Sequence, residues 1–335
     1  MNHAEHDTAH DTAHDTAPDT VGAVGEMETL RRILPLLPSA SSLEIGPGDD
    51  SAVVRLSESR VVISCDMMIE GPDFRWLWSD PEQVGHKAIA SNAADIAAMG
   101  AAVVAYEIAV AAPAHTPVGT LERLARGFAS GIEALTPGAG VSGGDLSHAP
   151  VLTIALTVLG DLQGRAPVTR SGAKPGDQVA VAGELGLSLA GYRELVAAGN
   201  DPTAIATLKA SSAAVAHHLA PSPPIHLGVH ASVAGATAMM DISDGLLLDA
   251  TRLARASGVT VELGGVGLPV LDEDALIGGE DHGLLACFPG DHALPEGFRL
   301  IGRVVAPGDQ PVVGVGFDIP DVRGGWDPFQ DFSAE

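Results

Sequence analysis

Apolar and polar positions follow one another in short blocks along this chain, and several of the blocks end in acids. Ala52-Val53-Val54 and Val61-Val62-Ile63 are apolar runs on either side of Ser57-Glu58-Ser59, a pattern that predicts a strand hairpin. Its mouth carries Asp49 and Asp50 after Gly46-Pro47-Gly48, and Asp66 after Ser64-Cys65. Met27, Leu30, Ile33 and Leu34 at helical spacing predict a short helix over 26–37, disturbed by Pro35 and Pro38. Ser79-Asp80-Pro81-Glu82 is a helix start with a capping residue, a proline in the first turn and an early acid. That helix is expected to run to Met99 and stop at Gly100, with Asn92 and Asp95 on one face. A buried strand over 102–111 and a second helix marked by Leu121, Leu124, Ala125, Phe128, Ile132 and Leu135 follow, ended by Gly138. Val141-Ser142-Gly143-Gly144-Asp145 reads as a segment whose main chain approaches a ligand, or as a tight turn, before a strand over 151–159.

Proline, glycine and the cations Arg165, Arg170 and Lys174 break the apolar rhythm over 164–177, which suggests a boundary there. Beyond it the pattern predicts a strand over 179–182, helices over 188–198 and 203–218, and a Pro-rich turn at 221–224. Met239-Met240-Asp241-Ile242-Ser243-Asp244-Gly245 is a second acidic centre. Leu246, Ala250, Leu253 and Ala254 continue it as a helix that Ser243 or Asp244 would cap. Gly278-Gly279-Glu280-Asp281 leads into the apolar run 284–288, and strands over 300–305 and 311–315 close the pattern. Gly324-Gly325-Trp326 is either an aromatic lid or core packing. Residues 1–24 are different in kind: His-Asp-Thr-Ala recurs from His6, His10 and His14, almost nothing there is apolar, and a disordered tail is expected.

Composition narrows the function classes. The chain has 335 residues, enough for two domains with cores of their own. Asp and Glu number 43 against 18 Lys and Arg, a formal charge of -25, and the only lysines are Lys87, Lys174 and Lys209. A general nucleic-acid surface needs clustered cations and is not expected. No apolar run approaches the ~20 residues of a membrane span, and no basic segment precedes an apolar core at the N-terminus, so a cytoplasmic protein is expected. Cys65 and Cys287 lie far apart and outside any metal-binding spacing, which fits a reducing compartment.

The acids carry the chemistry. Asp49, Asp50, Asp66, Asp95, Asp145, Asp241 and Asp244 each stand near a segment end beside small residues. Any one of them reads equally as a cap or turn residue. As a set they can converge on one cleft, where like charges repel unless hard cations neutralise them beside a polyphosphate. Arg170 is placed to meet phosphate with its planar fork. No Gly-x-x-x-x-Gly-Lys loop or protein-kinase catalytic loop occurs, so a carboxylate cage must hold any metals.

In chain order, Gly46-Pro47-Gly48-Asp49-Asp50, Ser64-Cys65-Asp66, Lys87 through Ser91-Asn92-Ala93-Ala94-Asp95 to Gly100, Gly143-Gly144-Asp145, Thr169-Arg170-Ser171-Gly172 to Asp177, Asp241-Ile242-Ser243-Asp244-Gly245 and Gly278-Gly279-Glu280-Asp281 resemble the thiamine-monophosphate kinase family. Aminoimidazole-ribonucleotide synthetase and selenophosphate synthetase belong to the same superfamily. The resemblance implies an α+β protomer of two domains. An N-terminal mixed sheet over 25–164 would pair across a homodimer and bind ATP and metal, and a C-terminal sandwich-like domain over 165–335 would complete the cleft. It implies transfer of the ATP γ-phosphoryl to thiamine monophosphate, assisted by several Mg²⁺ ions, with no general base because the acceptor is already an ionised phosphate. It implies a metal shell of Asp50, Ser64, Cys65, Asp66, Asp95, Asp145, Asp241 and Asp244. ATP contacts would come from Gly144, Asp145, Arg170 and Ser243, and acceptor contacts from Asp73, Glu280 and Trp326. Alternatives are a kinase of the same superfamily with another small acceptor, or a nucleotide- and Mg²⁺-binding protein without turnover.

Four positions depart from the family pattern. Leu146-Ser147-His148 stands for Thr-Thr-Arg, Asp73 for His, His282-Gly283 for Tyr-Glu, and Cys65 for Thr. Three of the four fall at the acceptor end, where weaker substrate binding is expected.

Overall fold

The computed structural model describes residues 19–46, 51–268 and 271–320. Asp49, Asp50, Trp326 and most of the expected tail lie outside those residues. Residues 19–24, counted above with the tail, are docked on the domain: Thr20 bridges Pro117, the Val21 N–H donates to the Thr116 carbonyl at 2.9 Å, and Val21–Val24 form a helical turn, α1. Val21 has apolar surface to bury and packs against the core.

The first half continues with α2 (Glu26–Ile33), a 3-10 turn over Leu34–Leu36, β1 (Leu43–Ile45), β2 (Val53–Val54), β3 (Val62–Ile69), α3 (Pro81–Ala98), β4 (Ala102–Ala112), α4 (Val118–Leu135), β5 (Gly140–His148) and β6 (Thr153–Asp161). The expected hairpin between the two acidic runs does not form. β2 pairs with β1, whereas β3 joins a four-stranded sheet in the order β3-β6-β4-β5, antiparallel except for β4 with β5. An eight-residue strand gains a full ladder against β6 that the two-residue β2 cannot offer.

Helix α3 is the pillar of the molecule. Pro81 opens it, and the Asp80 N–H donates to the Gln83 side chain at 2.9 Å, closing a cap around an orphan donor. Alanine and glycine make it slim enough to be buried nearly all round. A Cβ on Gly85 would stand 2.4 Å from the Leu124 carbonyl, and one on Gly127 2.2 Å from that of Glu82, so α3 and α4 touch backbone to backbone.

The second half comprises β7 (Gln178–Ala182), α5 (Leu187–Ala198), α6 (Pro202–Ser211), α7 (Ala213–Leu219), α8 (His226–Val233), β8 (Ala238–Ile242), α9 (Leu246–Ser257), β9 (Thr260–Gly264), α10 (Glu273–Ile277), β10 (Gly283–Phe288), β11 (Arg299–Val305) and β12 (Val312–Val315). One helix was expected over 203–218. Ser212 divides it, because its backbone is extended and its hydroxyl accepts the Val215 N–H to start a new helix. Helix α9 is also capped otherwise than expected: Gly245 is its N-cap, at φ 116°, and the Ser243 and Asp244 N–H groups both donate to the Asp249 carboxylate.

The six strands form one sheet in the order β12-β9-β11-β7-β10-β8, buried on both faces at β7, β10 and β8. The period of two divides its side chains. Ala180, Ala182, Met239, Leu284, Ala286 and Phe288 join the core of the first half, while Val179, Val181, Met240, Ile242, Leu285 and Cys287 pack under α9. The halves therefore share a core, and the parity that sends Met239 toward α3 sends Asp241 with it.

Candidate active site

Where β3, α3 and β8 meet, a cleft of about 200 Å³ opens, lined by Ser64, Asp95, Arg170 and Asp241 together with Ile63, Ile96, Met99 and Met240. Each polar side chain arrives by the periodicity of its element. Ser64 and Asp66 stand on one face of β3. Asn92 and Asp95 share one face of α3, with Lys87 about two turns before Asp95, and Asp241 points inward by the parity of β8. The Ser64 hydroxyl donates to the Asp95 carboxylate at 2.6 Å, and the Asp66 N–H donates to the Asn92 side-chain oxygen at 3.2 Å.

The electrostatics of this group are unfavourable without a cation. Burial pushes Asp95 up to about 6; the charges of Asp241 and Asp66 add to that, and the Ser64 bond opposes it. Asp66 is raised as well, by desolvation first and then by Asp241 and Asp244, against a counteracting pull from His282. Among the described residues no three His, Cys, Asp or Glu side chains stand close enough together to hold an ion by themselves. The mutual repulsion of Asp66, Asp95, Asp241 and Asp244 is nevertheless the condition that a hard divalent cation relieves, and oxygen donors are what such a cation takes, so the residues fit Mg²⁺.

Not all the expected residues stand together. Asp244 accepts from Arg252 at 2.5 Å, and Arg252 also donates to Asp249 at 2.7 Å. Cys65 is exposed on the sheet face opposite Ser64 and Asp66. Gly143, Gly144 and Asp145 form neither a ligand-facing loop nor a turn; they lie within β5, where Ile108 is paired with Gly144 and a Cβ on Gly144 would fall 1.9 Å from the Ile108 carbonyl. Strand pairing thus accounts for the glycine. Asp145 accepts from Ser147 at 2.6 Å, and two strands separate β5 from β3. Three inter-strand spacings, about 14 Å, therefore keep Asp145 from Asp66 within one protomer. Arg170, exposed at the cleft rim, has no acidic partner among the described residues.

A second cluster continues from the first. The Lys87 ammonium, nearly buried, donates to Glu280 at 2.8 Å. His218 Nδ1 lies 3.7 Å from Glu280 and 2.9 Å from the Ser188 hydroxyl. Desolvation opposes ionisation of Glu280, but Lys87 and then His218 outweigh it and hold the carboxyl down at about 2. Burial, then the Lys87 charge, pushes His218 down to about 4. Asp73 accepts the Ile69 N–H at 2.7 Å as part of the turn after β3, and feels the charges of Glu280 and Lys87. Asp281 accepts the Gly186 and Ser188 N–H groups at 2.6 and 2.8 Å, fastening this loop to the start of α5. Lys87 and His218 were not foreseen as site residues, and His282 was noted only as a departure from the family pattern at the acceptor end. Lys87 was within reach of sequence reasoning, being one of three lysines and about two turns before Asp95 on the expected helix. His218 was not, since its helix is distant in the chain.

The first half of the fold, from before β2 to the end of β6, falls in a known class: a domain family described as AIR synthase related protein, N-terminal domain, matches residues 48–162. Over 298 residues the chain is 42% identical to the thiamine-monophosphate kinase of Mycobacterium tuberculosis, covering 84% of this chain and 85% of the relative. It is 40% identical to that of Corynebacterium glutamicum over 92% of this chain and 95% of the relative. The structure of AaThiL complexed with AMPPCP and TMP superposes with a TM-score of 0.67 at 30% identity, covering 89% of this chain and 95% of that one. The chain belongs to the thiamine-monophosphate kinase family. A hydrogenase maturation protein, HypE, in complex with ATP shares the fold at a TM-score of 0.64 and 16% identity, over 88% of this chain and 92% of that one.

Proposed function

We propose that this protein transfers the γ-phosphoryl group of ATP to the phosphate of thiamine monophosphate, giving thiamine diphosphate. The observation that carries this reading is the cleft in which Ser64, Asp95 and Asp241 face Arg170, in a chain 42% identical to a thiamine-monophosphate kinase. Two phosphate anions must approach one another there. Asp66, Asp95 and Asp241 would share in holding Mg²⁺ with ligands from outside this trio, Asp50, Ser64, Cys65, Asp145 and Asp244 being the further expected donors, and the ion would supply charge neutralisation for that approach. Arg170 offers a guanidinium, free of acidic partners among the described residues, to the transferring phosphate. Ser243 completes the proposed ATP contacts within one protomer, and Gly144 and Asp145 would join them only from the β5 edge of a partner. Positioning does the rest, and no side chain needs to act as a general base because the acceptor oxygen is already ionised.

At the acceptor end Glu280 stays a carboxylate because Lys87 neutralises it from inside, leaving its outer oxygen for the cationic heterocycle or amino group of the substrate. Asp73 stands in the same field, and Trp326 is the third proposed contact.

The reading includes a homodimer. β3 and β5 are both free edges of the N-terminal sheet, and β3 exposes Ile63 and Met67 at 62% and 58%. Unpaired edges with apolar side chains invite pairing with another chain. A two-fold that sets β5 of one protomer beside β3 of its partner would bring Asp145 alongside the strand that carries Cys65 and Asp66, on the face of Cys65, the approach that one protomer forbids. No helix of the described residues is long and apolar enough to cross a membrane, and a cytoplasmic location is part of the reading. Incubation of the purified chain with ATP, Mg²⁺ and thiamine monophosphate, followed by chromatography, should yield thiamine diphosphate. Phosphorylation of some other small acceptor with no thiamine diphosphate would sink the assignment.

A further inference from the structure

His282 stands where the family pattern has Tyr, and neither the metal shell nor the acceptor contacts proposed above include it. It is buried to 7% exposure, and its Nδ1 is enclosed without a hydrogen-bond partner among the described residues. The polar atom it faces is Asp241 Oδ2, at 3.6 Å. Its backbone is held there at φ 53°, in the left-handed region, with Glu280 at φ 61° two residues before. The His282 N–H donates to the Ile242 carbonyl at 3.1 Å, and the Glu280 N–H to that of Ser243 at 2.8 Å. Strained backbone of this kind persists where surrounding bonds over-determine it. Here the two bonds clamp the loop alongside the end of β8, and the ring is carried to Asp241.

A buried imidazole nitrogen needs a partner, and a small rotation of either side chain closes 3.6 Å to bonding distance. We infer that His282 is a positioning residue: in the tautomer protonated at Nδ1 it donates to Asp241 and fixes the orientation in which that carboxylate receives a metal ion. The inference rests on the reading of Asp241 as a ligand. It also links the two ends of the site. Glu280 and His282 belong to one rigid turn, so the segment that presents the acceptor contact is the segment that aims the metal carboxylate.

The test is calorimetric titration of Mn²⁺ and Mg²⁺ into the full chain with a non-hydrolysable ATP analogue present. His282→Ala is expected to weaken metal affinity about tenfold, as lost outer-shell donors do. His282→Asn should recover most of it, because its amide nitrogen reaches near the Nδ1 position and Asn tolerates left-handed backbone. His282→Gln places its amide elsewhere and should stay weak. In turnover the Mg²⁺ concentration for half-maximal rate should rise while KM for thiamine monophosphate holds. Unchanged metal affinity in His282→Ala, equal weakness in His282→Asn, or a change confined to acceptor KM would overturn the inference. Failure of the kinase reading is distinguishable, since the titration reports on His282 even when no thiamine diphosphate forms.

Discussion

Lys87 and Glu280, 193 positions apart in the chain, meet at 2.8 Å, with the lysine nearly buried and the glutamate side chain 43% exposed. The pair spans the two halves of the molecule: α3 of the first presents the cation, and the turn before β10 of the second presents the acid. Lys87→Met leaves the carboxylate without its inner partner. Fully enclosed pairs cost about 3–5 kcal/mol when broken, and the exposure of Glu280 reduces the expected loss to about 2 kcal/mol. KM for thiamine monophosphate should rise with it. Denaturant unfolding and steady-state kinetics check both, and Lys87→Met combined with Glu280→Gln should recover stability but not substrate binding.

Asp95→Asn is expected to abolish turnover while stabilising the metal-free protein. The folded pKa of Asp95, about 6, is above its unfolded value of 3.8, so the folded state binds the extra proton between them. That contribution is present below pH 3.8 and is lost as pH rises through 6. At neutral pH the ionised group therefore works against folding, and removing its charge should gain about 1–2 kcal/mol. Melting with and without Mg²⁺ checks this: the variant should melt higher without metal and respond less to it.

His218 works in the opposite sense. Its folded pKa, about 4, is below the ordinary 6.5, so between those values the unfolded chain holds a proton that the folded protein refuses. Stability should fall as pH drops from 6.5 toward 4, by at most about 3 kcal/mol. His218→Gln should flatten that limb in urea unfolding followed across the range. An unchanged slope would show that other groups govern acid stability.

Gly144→Ala should be far more damaging than Gly143→Ala. The first puts a methyl 1.9 Å from the Ile108 carbonyl and forces β4 and β5 apart, an overpacking cost of about 2–4 kcal/mol. The second meets the Glu107 carboxylate, a flexible end that can turn away. Paired melting curves decide the order.

Met67→Glu, placed on the exposed face of β3, should convert the proposed dimer to monomer in analytical ultracentrifugation and reduce turnover if Asp145 serves the partner's site. A dimer that persists would place the interface elsewhere.

The sequence by itself determined most of the elements around the site. Pro81 after a capping residue announced α3, the 3.6-residue spacing from Leu121 to Leu135 announced α4, and the run at 179–182 announced a strand, because caps and periodicity act over a few residues. The acids Asp66, Asp95 and Asp241 stood out in the sequence as carboxylates in or beside apolar segments, although Asp66 lies inside β3 and not at a segment end. Strand partners were not legible. β3 left β2 for β6, and Gly143-Gly144 became a strand, since ladder pairing depends on residues far away in the chain. Only the tertiary structure decided that Lys87 neutralises Glu280, that His282 faces Asp241, and that Cys65 and Asp145 lie apart from Asp95. These relations arise where separate elements pack, and side-chain direction there is set by sheet parity and helix phase in three dimensions.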